Sequence, residues 1–146
     1  MMDHDLFFCE EASCWLGQGI ITFSMTNDAL PFYARWTISP KSIDDIYCRQ
    51  EIEIDGIMDK MENTLHLYNF DNNKFIITVE NEVWGRVQGA GLLEEKTIAW
   101  EFRMQSSGFE GMEIYEKISS KQYALHSEYM SPDHYRTNIK GELWKK

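Results

Sequence analysis

Apolar and polar residues alternate along several segments of the chain, most clearly at residues 96–104. In an extended strand, every second residue lies on the same face. One face of this segment carries four apolar residues: Ile98, Trp100, Phe102 and Met104. The positions between them carry small or polar residues: Thr97, Ala99, Glu101 and Arg103. This pattern predicts a β-strand with one buried face.

Clusters of turn-forming residues separate further runs that are rich in aromatic and β-branched residues. The clusters lie at residues 71–73, 81–82, 94–96, 106–108, 119–121 and 131–133. A spacing of about 12 residues with short turns is typical of a β-meander. Strands are predicted at residues 15–25, 31–38, 46–55, 60–70, 75–79, after Trp84, and at 96–104, 109–118, 122–130 and 135–144.

The short connections determine how these strands pair. They are too short for parallel crossovers, so neighbouring strands are expected to be antiparallel. A sheet of about ten strands in one small domain must also protect its edges, and closure into a barrel does so. We therefore predict an all-β fold, a lipocalin-like antiparallel up-and-down barrel. It would form a single domain over residues 1–146, with residues 1–14 covering one end.

The segment 43–61 admits a second interpretation. Its apolar residues also recur at helical spacing, and Ser42 with Asp45 resembles a capping box. As a strand, apolar and polar residues alternate from Ile46 to Asp55, before a turn at Asp55-Gly56. The strand is the favoured interpretation, whereas a helix would give an α+β sheet packed on one helix.

Composition and charge limit the partners of the protein. The hydrophobic content of 43% and aromatic content of 14% fit a folded globular domain. The formal charge of −10 repels polyanions, so neither nucleic acid nor an anionic membrane surface is an expected partner. No apolar run reaches the roughly 20 residues of a membrane-spanning helix, and the acidic start of the chain predicts a cytoplasmic protein.

The three cysteines are Cys9, Cys14 and Cys48. The spacing of Cys9 and Cys14, taken with His4, matches no common zinc site. We therefore expect free thiols and no metal.

The first predicted strand opens with Trp15-Leu16-Gly17-Gln18-Gly19. This W-x-G-x-G start resembles that of calycin-type barrels, which include the lipocalins, the fatty-acid-binding proteins and the nitrobindin-like haem proteins. Lipocalins differ in placing the tryptophan after the glycine, and fatty-acid-binding proteins insert two helices for which this chain has no room. The sequence therefore looks most like a nitrobindin-like or related calycin barrel.

The resemblance implies two roles for residues near the end of the chain. In calycin barrels the first-strand tryptophan packs against an arginine of the last strand, which implies contact between Trp15 and Arg136. In nitrobindin-like barrels a histidine just before the last strand holds the haem iron, and His134 matches that placement. A surface turn histidine is the alternative for His134, and no cofactor is our main expectation.

The glycines Gly17 and Gly19 also have a physical interpretation, which holds without the resemblance. On one face of a strand they allow sharp bending and close approach of neighbouring side chains. Such bending helps a sheet to close into a barrel.

The side chains predict a binding protein and not an enzyme, because no Ser-His-Asp, Cys-His or glycine-elbow arrangement is present. Glu51, Glu53 and Glu113 alternate with apolar residues, which predicts a solvated outer face for all three. Arg103 would contact a ligand only if its face of the strand is the interior; otherwise Arg103 is an ordinary surface charge.

The predicted function is binding of a small hydrophobic or amphipathic ligand inside the barrel. The predicted ligand-binding residues are Trp36, Trp100, Phe102, Met104, Tyr123, Tyr129 and Arg103. The same aromatic residues could instead fill a solid core. Two alternative functions stay open: a haem protein with His134 as ligand, and a packed acidic barrel that meets a basic protein partner.

Overall fold

A computed structural model describes residues 12–57, 60–82, 85–104, 108–131 and 135–146. Ten strands follow one another along the chain: β1 (Ser13–Phe23), β2 (Ala29–Ser42), β3 (Asp45–Ile54), β4 (Met61–Asp71), β5 (Lys74–Asn81), β6 (Gly85–Glu94), β7 (Thr97–Met104), β8 (Phe109–Ser119), β9 (Gln122–Met130) and β10 (Arg136–Lys145). Among the described residues, no helix is long and apolar enough to cross a membrane.

The strands form one closed antiparallel barrel. Each strand pairs with the next in sequence, and β10 closes the circle by pairing with β1 from Trp15↔Lys145 to Phe23↔Thr137. The predicted all-β up-and-down barrel of about ten strands is therefore confirmed.

The ambiguous segment 43–61 contributes β3, a strand paired on both sides. Ile46 and Cys48 are buried in the interior, whereas Arg49 points outward. The helix alternative is wrong because this period-two burial matches a strand in a sheet and not a helix packed on one. Gly56 in the following turn has φ 84°, which is readily accessible to glycine.

The two ends of the barrel differ in their connections. At the short-turn end, two-residue links at 43–44, 72–73, 95–96 and 120–121 join neighbouring strands. Asn72 has φ 57° in one of these links, a backbone conformation that asparagine tolerates better than most residues. At the opposite end, the long-connection end, the links span residues 24–28, 55–60, 82–84, 105–108 and 131–135.

Inward-facing apolar side chains fill the short-turn half of the barrel. Trp15, Ile38 and Leu143 are completely buried there, and the Trp15 ring packs edge-on against Tyr123 at 5.2 Å between centroids. Gly17 makes room for Trp36: a Cβ at Gly17 would lie only 2.6 Å from the indole ring. The glycine is therefore required by close approach of a side chain, as its position in the strand predicts.

The register shows that one expectation from the resemblance is wrong. Trp15 lies opposite Lys145, whereas Arg136 begins β10 at the other end of the barrel, opposite Met130 of β9. Because β1 and β10 are antiparallel, Trp15 and Arg136 lie at opposite ends of the seam. The implied Trp15–Arg136 contact is not made.

Residues 1–11 lie outside the described residues. That residues 1–14 cover one end of the barrel therefore stays a prediction for residues 1–11. Ser13 and Cys14, the last two residues of the segment 1–14, belong to β1.

Candidate functional site

A carboxyl group lies inside the barrel, on Glu113 in the middle of β8. Its side chain is 3% exposed. The Tyr115 hydroxyl donates a hydrogen bond to Glu113 Oε1 at 2.6 Å, and Trp100 Nε1 donates to Oε2 at 3.1 Å. The expectation that Glu113 lies on a solvated outer face is therefore wrong. Its strand alternation is real, but its face of β8 is the interior.

Hydrogen bonds extend from Glu113 across the barrel. Trp36 Nε1 on β2 donates to the Tyr115 hydroxyl at 3.3 Å. Gln50 lies on β3, the strand opposite β8 in the circle, and as a hydrogen-bonding neighbour of Glu113 it lowers the pKa of the carboxyl. Opposite walls of the barrel are therefore joined by polar side chains near the middle of its height.

Three amides extend this network toward the long-connection end. Asn63 Nδ2 donates to Gln50 Oε1 at 2.8 Å, and Asn81 Nδ2 donates to Asn63 Oδ1 at 2.6 Å. All three amide side chains are buried. Buried polar groups destabilise a fold when they lack hydrogen-bond partners. In this series of hydrogen bonds, each of the three amide side chains has a partner.

Burial raises the pKa of the Glu113 carboxyl above its ordinary value. The hydrogen bonds from Tyr115, Trp100, Tyr129 and Gln50 act against this rise. Burial also raises the pKa of the Tyr115 and Tyr129 hydroxyls, and the nearby Glu113 charge adds to the effect. Both tyrosines therefore stay protonated and can act as donors to the carboxyl group.

The interior of the long-connection half keeps part of its apolar surface exposed. The half-buried inward-facing residues there are Phe23, Ile52, Ile54, Met104, Phe109, Tyr129 and Ile139. Three rings group together at this end, with 5.9 Å between the centroids of Phe102 and Phe109 and 6.2 Å between those of Phe109 and Tyr129. The hydrogen-bonded side chains of Glu113, Tyr115 and Trp100 lie on the short-turn side of these rings.

The predicted ligand-binding residues occupy three different places. Trp36, Trp100 and Phe102 are buried in the interior, and Met104 and Tyr129 face inward at the long-connection end. Tyr123 lies in the short-turn half beside Trp15. Arg103 is exposed on the outer face, so it takes no part in the interior and is an ordinary surface charge. Whether the interior residues bind a ligand stays a prediction.

Two cavities lined by described residues open on the outside of the barrel. A cavity of about 930 Å³ lies at the edge of β4, β5 and β6, beside Lys60, Glu80 and Arg86. Another of about 430 Å³ lies over β1, β2 and β10, beside Ile20, Tyr33 and Trp144. Neither of these two cavities lies inside the barrel.

The described histidines and cysteines form no metal site. His66 and His126 both lie on the outer face, where His66 Nε2 contacts Asp45 Oδ1 at 2.6 Å. Within the described ranges, no group of three His, Cys, Asp or Glu side chains could hold a metal ion. His134, the possible haem ligand, lies outside the described residues, so that assignment stays a prediction.

The two described cysteines are free thiols. Burial raises the pKa of the Cys48 thiol, and the charge of Glu113 adds to this. Cys48 is therefore held as a protonated, unreactive thiol.

Comparisons with known proteins bear on the fold. No family model matches the chain, and no curated relative is similar to it. Among solved structures, the barrel is similar to EF1p2_mFAP2b, which was determined bound to DFHBI. The TM-score is 0.53 at 10% sequence identity, over 92% of this chain and 93% of the other. At this identity the likeness shows a common barrel fold.

Proposed function

We propose that the protein binds a small hydrophobic or amphipathic molecule in the long-connection half of the barrel. One observation carries the proposal: half-exposed apolar side chains surround an interior that contains a buried, hydrogen-bonded carboxyl group. Ligand sites in proteins combine a mostly apolar lining with a few placed polar groups. A protein of similar barrel fold was determined bound to DFHBI, which is consistent with ligand binding by this fold.

The two halves of the interior have different roles in this proposal. In the short-turn half, completely buried side chains such as Ile38 and Leu143 form a solid core. In the long-connection half, Met104 and Tyr129 are half-buried and can move toward solvent when a ligand enters. Met104 suits this role because its unbranched side chain adapts to different shapes.

A calycin-type relationship is part of the proposal. The closed barrel of ten antiparallel strands supports it, and so does the placement of Gly17 against Trp36. The missing Trp15–Arg136 contact argues for a divergent member. A cytoplasmic location stays a prediction from the sequence.

The test is a binding titration of the wild-type chain and two variants. Ile139→Phe adds bulk to an inward-facing position of the long-connection half, whereas Ile20→Phe makes the same change on the outer face. A panel of fatty acids, retinoids and aromatic amphiphiles is titrated while tryptophan fluorescence is recorded. We expect saturable binding to the wild type, loss of about tenfold in affinity for Ile139→Phe, and no change for Ile20→Phe.

Two outcomes would contradict the proposal. Equal affinity in all three proteins would place the ligand outside the barrel. No saturable change with any member of the panel would mean that the whole interior is a packed core. Circular dichroism of both variants is the control for folding.

A further inference from the structure

The inference concerns the charge of Glu113 and rests on the proposed function. Among the described residues, no lysine, arginine or histidine nitrogen lies within 4.0 Å of its carboxylate, the distance limit for an ion pair. Its partners are the neutral groups of Tyr115, Trp100, Tyr129 and Gln50. Buried carboxylates are normally paired with a cation, whereas this one has donors but no countercharge within the part of the chain that the structure describes.

A ligand's polar group would have to match this environment. Beside the ionised form of Glu113, an anionic headgroup would bring two negative charges together in a buried site, which is strongly unfavourable. A protonated amine supplies both the missing positive charge and N–H donors, and charge-assisted hydrogen bonds are about twice as strong as neutral ones. The site therefore disfavours fatty acids and favours amines.

The groups around the carboxyl suit a cation with an apolar body. The Trp100 and Tyr115 rings lie 5.0 Å apart between centroids, and Trp36 lies 6.2 Å from Tyr115. Aromatic rings attract organic cations as well as apolar surfaces. The overall charge of −10 also raises the local concentration of cations around the protein.

A ligand can replace one hydrogen-bonding neighbour of Glu113, the Tyr129 hydroxyl. A carboxylate offers about four acceptor positions; Tyr115 and Trp100 donate to Glu113 at 2.6 and 3.1 Å, and Tyr129 and Gln50 are further hydrogen-bonding neighbours that lower its pKa. The Tyr129 hydroxyl is buried, but the residue as a whole is partly exposed, and its ring belongs to the aromatic group at the long-connection end. We infer that Glu113 anchors a ligand that carries a protonated amine on a flat apolar body, with the ammonium group replacing the Tyr129 hydroxyl.

The experiment uses three probes with the same naphthalene body: 2-naphthylmethylamine, 2-naphthylmethanol and 2-naphthoate. Calorimetry at pH 7 measures their affinity for the full chain. We expect the amine to bind about tenfold more tightly than the alcohol, and the carboxylate to bind most weakly. In Glu113→Gln the preference for the amine over the alcohol should disappear.

A matched control removes the same charge from outside the barrel. Glu101 is exposed on the outer face of β7, next to Trp100 in sequence. Glu101→Gln lowers the net negative charge as much as Glu113→Gln does, but it should leave the amine preference unchanged. If both variants lose the preference for the amine equally, the preference arises from the net charge of the protein, and the inference is wrong.

The outcomes separate this inference from the proposed function. If no probe binds, the proposed interior site fails. If the probes bind without preference for the amine, or the preference survives in Glu113→Gln, only the inference fails. Should Glu113→Gln not fold, Tyr129→Phe tests the same step, because it removes the hydroxyl that the amine must displace. We expect that variant to bind the amine more tightly; equal weakening of amine and alcohol would contradict the inference.

Discussion

The two halves of this barrel have the same strands but different interiors. In the short-turn half, side chains such as Trp15 and Leu143 are completely buried under two-residue links. In the long-connection half, inward-facing side chains such as Ile54 and Phe109 keep part of their surface exposed. Both halves belong to the same closed circle of strands, but β6 pairs with β7 only from Gly89↔Phe102 to Glu94↔Thr97, so this pair separates toward the long-connection end.

This difference suggests how one small domain can combine stability with binding. Complete burial of large side chains contributes most of the hydrophobic stabilisation, and it can be concentrated in one half. The other half can then keep side chains that move. Four predictions test this division of roles.

The largest effect is expected from one substitution made at both ends of the same strand. Ile46 on β3 is 1% exposed in the short-turn half, whereas Ile54 on the same strand is half-buried at the other end. We expect Ile46→Ala to lower the free energy of unfolding by about 2–5 kcal/mol, because it leaves a cavity in a packed core. Ile54→Ala should cost less than half as much. Urea denaturation measures both, and equal losses would mean that the two halves are packed alike.

The next prediction adds a methyl group to the interior, whereas the isoleucine substitutions remove part of a side chain. A Cβ at Gly17 would lie 2.6 Å from the Trp36 ring, and a Cβ at Gly111 would lie 2.7 Å from the Tyr129 ring. Gly17→Ala should destabilise the protein by about 1–3 kcal/mol, because the fully buried Trp36 cannot move. Gly111→Ala should also cost about 1–3 kcal/mol, because its Cβ would lie 2.8 Å from the Phe102 ring as well, and Phe102 is buried. Thermal unfolding of both variants measures the losses, and an unchanged midpoint for either would mean that its neighbouring ring can move aside.

A smaller effect should follow from the Glu113 carboxyl as pH changes. Its pKa in the folded protein is raised above the ordinary 4.5, so between these two values the folded state holds a proton that the unfolded state has lost. The stability that this group contributes is therefore complete below about pH 4.5 and is lost as pH rises through the folded pKa. The slope is at most about 1.4 kcal/mol per pH unit for one proton.

Glu113→Gln isolates this contribution, because glutamine does not titrate. The free energy of unfolding of the wild type minus that of the variant should fall as pH rises above 4.5. Denaturation series at several pH values measure this difference, in which the other titrating groups cancel. A difference that is constant with pH, or that rises, would contradict the raised pKa.

The smallest effect is expected from charges on the outside of the long-connection half. Lys60 Nζ lies 3.2 Å from Glu51 and 3.5 Å from Glu53, and all three are on the surface. Exposed ion pairs contribute little, because water screens them. Lys60→Ala should leave the denaturation midpoint within measurement error. A clear loss of stability would indicate that ion pairs, and not side-chain packing, hold this end together.

Most of the fold could be predicted from the sequence, because turns and alternation mark each strand locally. Residues 97–104 are the clearest case, with one face buried in the barrel as their pattern predicts. The segment 45–54 was harder, since its apolar residues fit two periods. Pairing with β2 and β4 decides in favour of the strand.

The site was less predictable, because residues on both faces of β8 are apolar. Met112 and Ile114 on the outer face are half-buried, so alternation alone could not assign Glu113 to the interior. A usable signal was present in its neighbours, since Gly111 and Tyr115 share its face and both are buried. The network itself depends on which strands lie opposite in the closed circle, and local sequence does not contain that information.

The seam between β1 and β10 also has a consequence for how the chain reaches its native state. Trp15 pairs with Lys145, a separation of nearly the whole described sequence. Such non-local pairing slows folding, because the chain must lose much conformational freedom before these contacts form. During synthesis, the edge of β1 has no final partner until β10 has left the ribosome. Until then that edge can pair with other chains, which exposes the nascent protein to aggregation.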